Sequence, residues 1–141
     1  MIERYSRKEI KKIWEDKNKY NIWLKIEIAA AEAMEKLKII PRGVSKKVKS
    51  KAKINVNRIL NIENKVKHDV IAFLTSINEK VGKEARFLHQ GMTSSDVLNT
   101  CFNIQLKQSG EILVKDLNIL INSIKKKAVK HKHTRSEEHT S

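Results

Sequence analysis

Apolar residues recur along this chain at intervals of three and four, the spacing of one face of an α-helix. The pattern predicts an all-α protein. A short helix, roughly Arg7–Asp16, opens on the capping-box pattern Ser6-x-x-Glu9 and turns Ile10, Ile13 and Trp14 to one side. Arg4 and Tyr5 precede it in a terminus read as unstructured. A longer helix follows over Asn18–Lys38, with Tyr20, Trp23, Leu24, Glu27, Ala30, Ala31, Met34 and Leu37 at helical spacing; Pro41 and Gly43 are read as its stop. Ser45–Lys53 reads as a short basic helix. Val56–Lys65 reads as another, with Val56, Ile59, Leu60 and Ile62 inward. The next helix starts at His68–Asp69, carries Val70, Ile71, Phe73, Leu74 and Ile77 on its apolar side, and closes at Gly82. Lys83–Met92 is a connection.

From Ser95 the helical pattern holds to about His131. Leu113, Leu117, Leu120, Ile124 and Ala128 form its stripe, widened by Ile112, Ile119 and Ile121. Gly110 is its weak point, costing roughly 1 kcal/mol against alanine. At 1.5 Å per residue such a helix is about 55 Å long. Its stripe requires partner helices that this chain does not supply, so the reading is a helical bundle completed by further sequence, by other subunits, or by both. Residues 1–93 are read as an N-terminal helical domain and 94–134 as the start of a long-helix bundle domain. Residues 135–141, RSEEHTS, have no apolar position and resemble the translation of a sequencing adapter. The expectation is that the protein continues past Thr134.

Composition narrows the classes. One proline and four glycines in 141 residues suit long helices with few turns. A single cysteine, Cys101, excludes an internal disulfide and is read as a buried free thiol in a reducing compartment. No apolar run is long enough to span a bilayer, and the first residues lack the apolar core of a signal peptide. The expected location is cytoplasmic. The net charge of +14 invites a nucleic-acid reading. Against it, the basic residues are 24 Lys and 6 Arg, spread along polar helix faces without interleaved aromatics. No specific nucleic-acid partner is expected. A basic funnel for an anionic small molecule fits better, and a purely structural helical assembly protein stays open.

The stretch with most chemistry is His89–Thr100, HQGMTSSDVLNT. Gly91 breaks what precedes it, and Thr93, Ser94, Ser95 and Asp96 are types that cap a helix start. Free N–H groups and the positive end of the dipole gather at such a turn, where the Thr93 and Ser94 hydroxyls add donors for a phosphate or carboxylate. The same residues also suit a capped helix that binds nothing. Lys67-His68-Asp69 form a second polar cluster at a helix start, with the parallel bland reading of a first-turn acid beside a surface histidine.

Taken together, MIERYSR at the start, the alanine-rich helix Glu27–Met34, NRILNIENKVKHDVIAF at Asn57–Phe73 and HQGMTSSDVLNT resemble the adenylosuccinate lyase family of the fumarase/aspartase superfamily. The resemblance runs from Met1 to Thr134. G-x-T-S-x-D-V alone is shared across the superfamily; carboxymuconate cycloisomerase-like members have it without an Arg-Tyr pair such as Arg4-Tyr5. The resemblance implies elimination of fumarate from adenylosuccinate, giving AMP, and from the succinyl-aminoimidazole-carboxamide ribotide of purine synthesis. It implies no metal or organic cofactor. It implies a homotetramer whose sites each combine segments of three subunits. By position, Arg4 and Tyr5 are implied substrate contacts at the phosphate, His68 and Asp69 contacts in the same pocket, and Thr93 and Ser94 the succinyl-carboxylate site. Lys67 stands where the family usually has Arg, which keeps the charge and loses a bidentate grip. The family's acid histidine, in a T/S-H-G segment, and its base serine, on a mobile loop, have no counterpart in these residues. No catalytic residue is therefore assigned, and the chain by itself is expected to be inactive.

Overall fold

Three aromatic rings set the centre of the fold. Tyr20 stacks on Phe73 with centroids 6.0 Å apart and planes 11° from parallel, and Trp23 meets both edge-on. All three are buried. The computed structural model describes residues 3–134. Among them the elements are a 3-10 turn at Glu3–Tyr5, α1 (Lys8–Ile13), α2 (Asp16–Lys36), α3 (Val44–Lys51), α4 (Val56–Val66), α5 (Asp69–Val81), a 3-10 turn at Lys83–Phe87, and α6 (Ser94–Lys130), with no strand. The expected all-α class is what the chain adopts. By contacts it divides into two compact units, Met1–Leu106 and Lys107–Ser141. The adapter-like tail, 135–141, lies outside the described residues.

In the first unit, α1 is shorter than its pattern suggests. It begins after Arg7 rather than at the Ser6 capping box, and Glu9 pairs with Arg7 at 3.7 Å. It ends at Ile13 because that carbonyl is met by two side-chain donors, Asn18 Nδ2 at 2.8 Å and Gln105 Nε2 at 2.7 Å. An acceptor satisfied this way does not need a further helical turn. Trp14, expected inward, is partly exposed and lies edge-on to Phe102.

Helix α2 buries Tyr20, Trp23, Glu27 and Ala31 along one stripe. It stops before Pro41 and Gly43 are reached. Lys38 enters the left-handed region at φ +60°, and Ile39 N–H bonds back to Met34 O at 2.9 Å while Lys38 N–H bonds to Glu35 O at 3.1 Å. That double closure is a Schellman motif with lysine in the glycine position. Gly43, at φ +92°, instead begins α3. A glycine has no side chain to cap with, and Glu35 supplies the missing acceptor, taking the Ser45 N–H at 2.6 Å. That bond, with help from the Gly43 and Val44 N–H groups, holds the Glu35 carboxyl below its ordinary value.

Helix α4 is capped by Asn55, which accepts from Arg58 N–H at 3.0 Å, and it packs on α5. Arg58 Nε also donates to Glu79 of α5 at 3.0 Å. That bond lowers the Glu79 pKa, so its modest contribution is present at neutral pH and lost as pH falls through the lowered value. Two inward assignments reverse. Leu60 and Ile71 are exposed, since α4 turns Ile59 and Ile62 to the core and α5 turns Val70, Ala72, Phe73, Ser76, Ile77 and Val81. Positions 59 and 62 on α4, and 70, 73 and 77 on α5, define the packed face, and 60 and 71 fall roughly 100° away from it.

The first turns of α6 enter the core through Val97, Cys101 and Gln105, spaced four apart. Cys101 is a buried free thiol whose burial raises its pKa. In the second unit, Leu113, Leu117, Leu120 and Ile124 are all exposed. No helix of the described residues is long and apolar enough to cross a membrane.

Candidate functional site

The site residues expected from sequence sit where the chain changes direction. Lys67 closes α4 in the left-handed region, φ +55°, with its N–H on Glu63 O at 2.8 Å. One residue later the backbone is extended at His68, the N-cap of α5. His68 Nδ1 accepts the Ile71 N–H at 3.4 Å, a long cap bond, and lies 3.6 Å from Asp69 Oδ1. Asp69 is the first helical residue, and its Oδ1 accepts the adjacent Val70 N–H at 2.7 Å. Asp69 is thus the first-turn acid and His68 the cap. An imidazole that accepts at Nδ1 carries its proton on Nε2 when neutral, so the ring offers a donor on its other side. Both side chains remain partly accessible.

Thr93 precedes α6, which starts at Ser94. The Thr93 N–H donates to Asp96 Oδ2 at 2.7 Å, and the Thr93 hydroxyl donates to the same oxygen at 3.2 Å. This is the returning half of a capping box, with Asp in place of Glu. Asp96 thus already complements the positive end of α6. An anion that engages the Thr93 hydroxyl must take it over from Asp96. Ser94 is half-buried beside it.

Arg4 and Tyr5 lie in an ordered 3-10 turn rather than an unstructured terminus, and the Arg4 guanidinium sits 4.8 Å from the Tyr5 ring centroid. That stacking suits a planar guanidinium. Both side chains are exposed. Each pair therefore has its own local support. Among the described residues, no hydrogen bond or ion pair joins the Arg4–Tyr5, His68–Asp69 and Thr93–Ser94 pairs to one another. No group of three His, Cys, Asp or Glu among them is placed to hold a metal ion.

A buried polar contact leading into the Thr93 turn lies outside the candidates that the sequence offers. Glu27, in the middle of the α2 stripe, has no accessible surface. Its Oε2 accepts the His89 N–H at 2.8 Å, and its Oε1 lies 2.7 Å from His89 Nδ1. His89 is held at φ +61° and Gly91 at φ +69°, so the chain makes two left-handed steps before reaching Thr93. The signal available in the sequence was a carboxylate inside an apolar stripe, which demands a buried partner.

Known proteins bear on this arrangement. The chain is 45% identical over 134 residues to an adenylosuccinate lyase from Bacillus subtilis, covering 95% of this chain and 31% of that protein. It is 46% identical over 134 residues to an adenylosuccinate lyase from Synechocystis, with the same coverage of 95% and 31%. The chain thus spans about a third of the length of these curated relatives. Its fold is similar to the crystal structure of a fumarate lyase from Mesorhizobium sp. BNC1, with a TM-score of 0.65 at 18% identity, over 73% of this chain and 26% of that one. A family model described as lyase matches residues 3–136, nearly the whole length, and the chain belongs to that lyase family.

Proposed function

We propose that this chain is the N-terminal part of an adenylosuccinate lyase, which eliminates fumarate from adenylosuccinate to leave AMP and acts likewise on the succinyl-aminoimidazole-carboxamide ribotide of purine biosynthesis. The observation that carries the reading is the 45% identity to an adenylosuccinate lyase across 134 residues. In the reaction a base removes the proton beside a carboxylate of the succinyl group. The carbon–nitrogen bond breaks, its electron pair goes to nitrogen, and an acid protonates that nitrogen. The groups that move these protons are assigned to segments outside residues 1–141. This chain supplies binding and orientation.

Within that reading Arg4 and Tyr5 contact the substrate phosphate. His68 and Asp69 line the same pocket, with Lys67 adding a positive point charge. Thr93 and Ser94 take a succinyl carboxylate at the start of α6. The hydroxyl-rich turn and the positive end of a 37-residue helix support the last assignment. The ring of His68, with Nδ1 occupied by a backbone donor, supports the second. No metal or organic cofactor takes part in this scheme. The exposed stripe Leu113–Ile124 supports a homotetramer, in which 94–134 joins a shared helical bundle and each site draws on three subunits. The enzyme is cytoplasmic and takes no specific nucleic-acid or membrane partner.

The test is fumarate release, followed by absorbance, from a protein of the relatives' length that begins with this chain. Release from adenylosuccinate is the expected result. Inactivity there, with turnover of argininosuccinate or a lactone instead, overturns the assignment.

A further inference from the structure

Glu27 places a carboxylate where no water reaches it. Burying such a charge is costly unless both oxygens are occupied. Here a single residue, 62 positions along the chain, occupies both: His89 presents its backbone N–H to Oε2 and its ring Nδ1 to Oε1. A tie between α2 and the loop would need only the backbone bond. The second bond acts on a side chain that is still 20% accessible, in the loop that delivers Thr93 and Ser94.

We infer that Glu27 is a positioning residue: it fixes the His89 ring with its hydrogen on Nδ1, leaves Nε2 as the nitrogen free for another partner, and pins the left-handed start of the Thr93–Ser94 turn. The inference rests on the anion-site reading of that turn. The chemistry follows from what each group can donate. An ionised carboxylate only accepts, so Nδ1 must be the donor. The same logic fixes the ring orientation of metal-bound histidines whose second nitrogen faces a carboxylate. The backbone at His89, φ +61°, is an uncommon conformation for a residue with a side chain, and the bond to its N–H holds it there.

Glutamine at 27 fills the same space and reverses the ring. Its carbonyl takes the backbone N–H, and its amide donates to Nδ1, which drives the ring hydrogen to Nε2. Aspartate is one methylene shorter, so its carboxylate sits back from both donors. The experiment is nitrogen-resolved NMR of the histidine rings in the 141-residue chain, on the alkaline side of neutrality, for the native sequence, Glu27→Gln and Glu27→Asp. The native His89 ring should show a protected hydrogen on Nδ1. Glu27→Gln should move it to Nε2 with the helical spectrum retained. Glu27→Asp should leave Nδ1 without protection and speed exchange of the His89 amide roughly tenfold, as expected for one lost hydrogen bond. A native ring protonated on Nε2, or a Glu27→Gln ring unchanged from native, overturns the inference. If Glu27→Gln fails to fold, the native ring decides alone. Absence of lyase activity in the longer protein would defeat the anion-site reading and leave this ring signature intact, so the two failures are distinguishable.

Discussion

Phe73→Ala is expected to lower the stability of the chain by about 3–5 kcal/mol, the range for deleting a buried aromatic ring. Phe73 has no accessible surface and lies against both Tyr20 and Trp23. Removing it deletes the α5 ring that lies against Tyr20 and Trp23 of α2 and leaves a void that two stiff rings cannot collapse to fill. Domains of this size have about 5–15 kcal/mol in total, so the variant loses a large share of its stability. Urea denaturation followed by tryptophan fluorescence measures it, since Trp23 is buried and reports the core directly. A loss below about 1 kcal/mol would mean that the aromatic trio is not the centre of the fold.

The double change Thr93→Ala with Ser94→Ala is expected to cut kcat/KM of the longer enzyme by about 10²–10⁴-fold. Each hydroxyl would lose a hydrogen bond to a charged group, worth about 1.5–3 kcal/mol, and the two together convert to that range. The structural cost is smaller. The Thr93 hydroxyl donates to Asp96 at 3.2 Å, while the backbone N–H of the same residue keeps its 2.7 Å bond to that carboxylate in the variant. The start of α6 should therefore survive, at a cost of about 1 kcal/mol. Thr93→Ser, which retains the hydroxyl, should recover most of the activity. Unchanged kcat/KM in the double variant would return this turn to an ordinary helix cap.

Much of the fold was legible because its elements are marked locally. Asn55 caps α4, and His68 and Gly82 bound α5, each through backbone and side-chain chemistry within a few residues. The misread ends have causes that lie elsewhere in the chain. Gln105, far along α6, helps to terminate α1 by reaching the Ile13 carbonyl. Lys38 accepts a glycine-like conformation at the end of α2, and no pattern of glycine or proline announces it. Leu60 and Ile71 are apolar yet exposed, because the periodic stripe on each helix is wider than the face its neighbour covers.

The candidate site divides in the same way. The pairs Arg4–Tyr5, His68–Asp69 and Thr93–Ser94 were visible as clusters of suitable residue types. Their local bonds were not, and Asp96 proved to be the residue already holding the Thr93 turn. The Glu27–His89 contact joins α2 to the loop before α6 across 62 positions, beyond what periodicity can pair. Its only trace was a charged residue at the apolar spacing of Trp23 and Ala31.

If, as proposed, these residues furnish binding elements of a lyase site whose proton-transfer groups come from elsewhere, the 141-residue chain is inactive on its own. The most direct measurement is fumarate release from adenylosuccinate by the purified 141-residue chain, beside a protein of the relatives' length that contains it. Turnover is expected from the longer protein and none from the chain alone, since each missing acid or base group is typically worth about 10²–10⁴-fold. Turnover by the 141-residue chain as a monodisperse monomer would overturn the proposal and place catalytic groups among its own histidines.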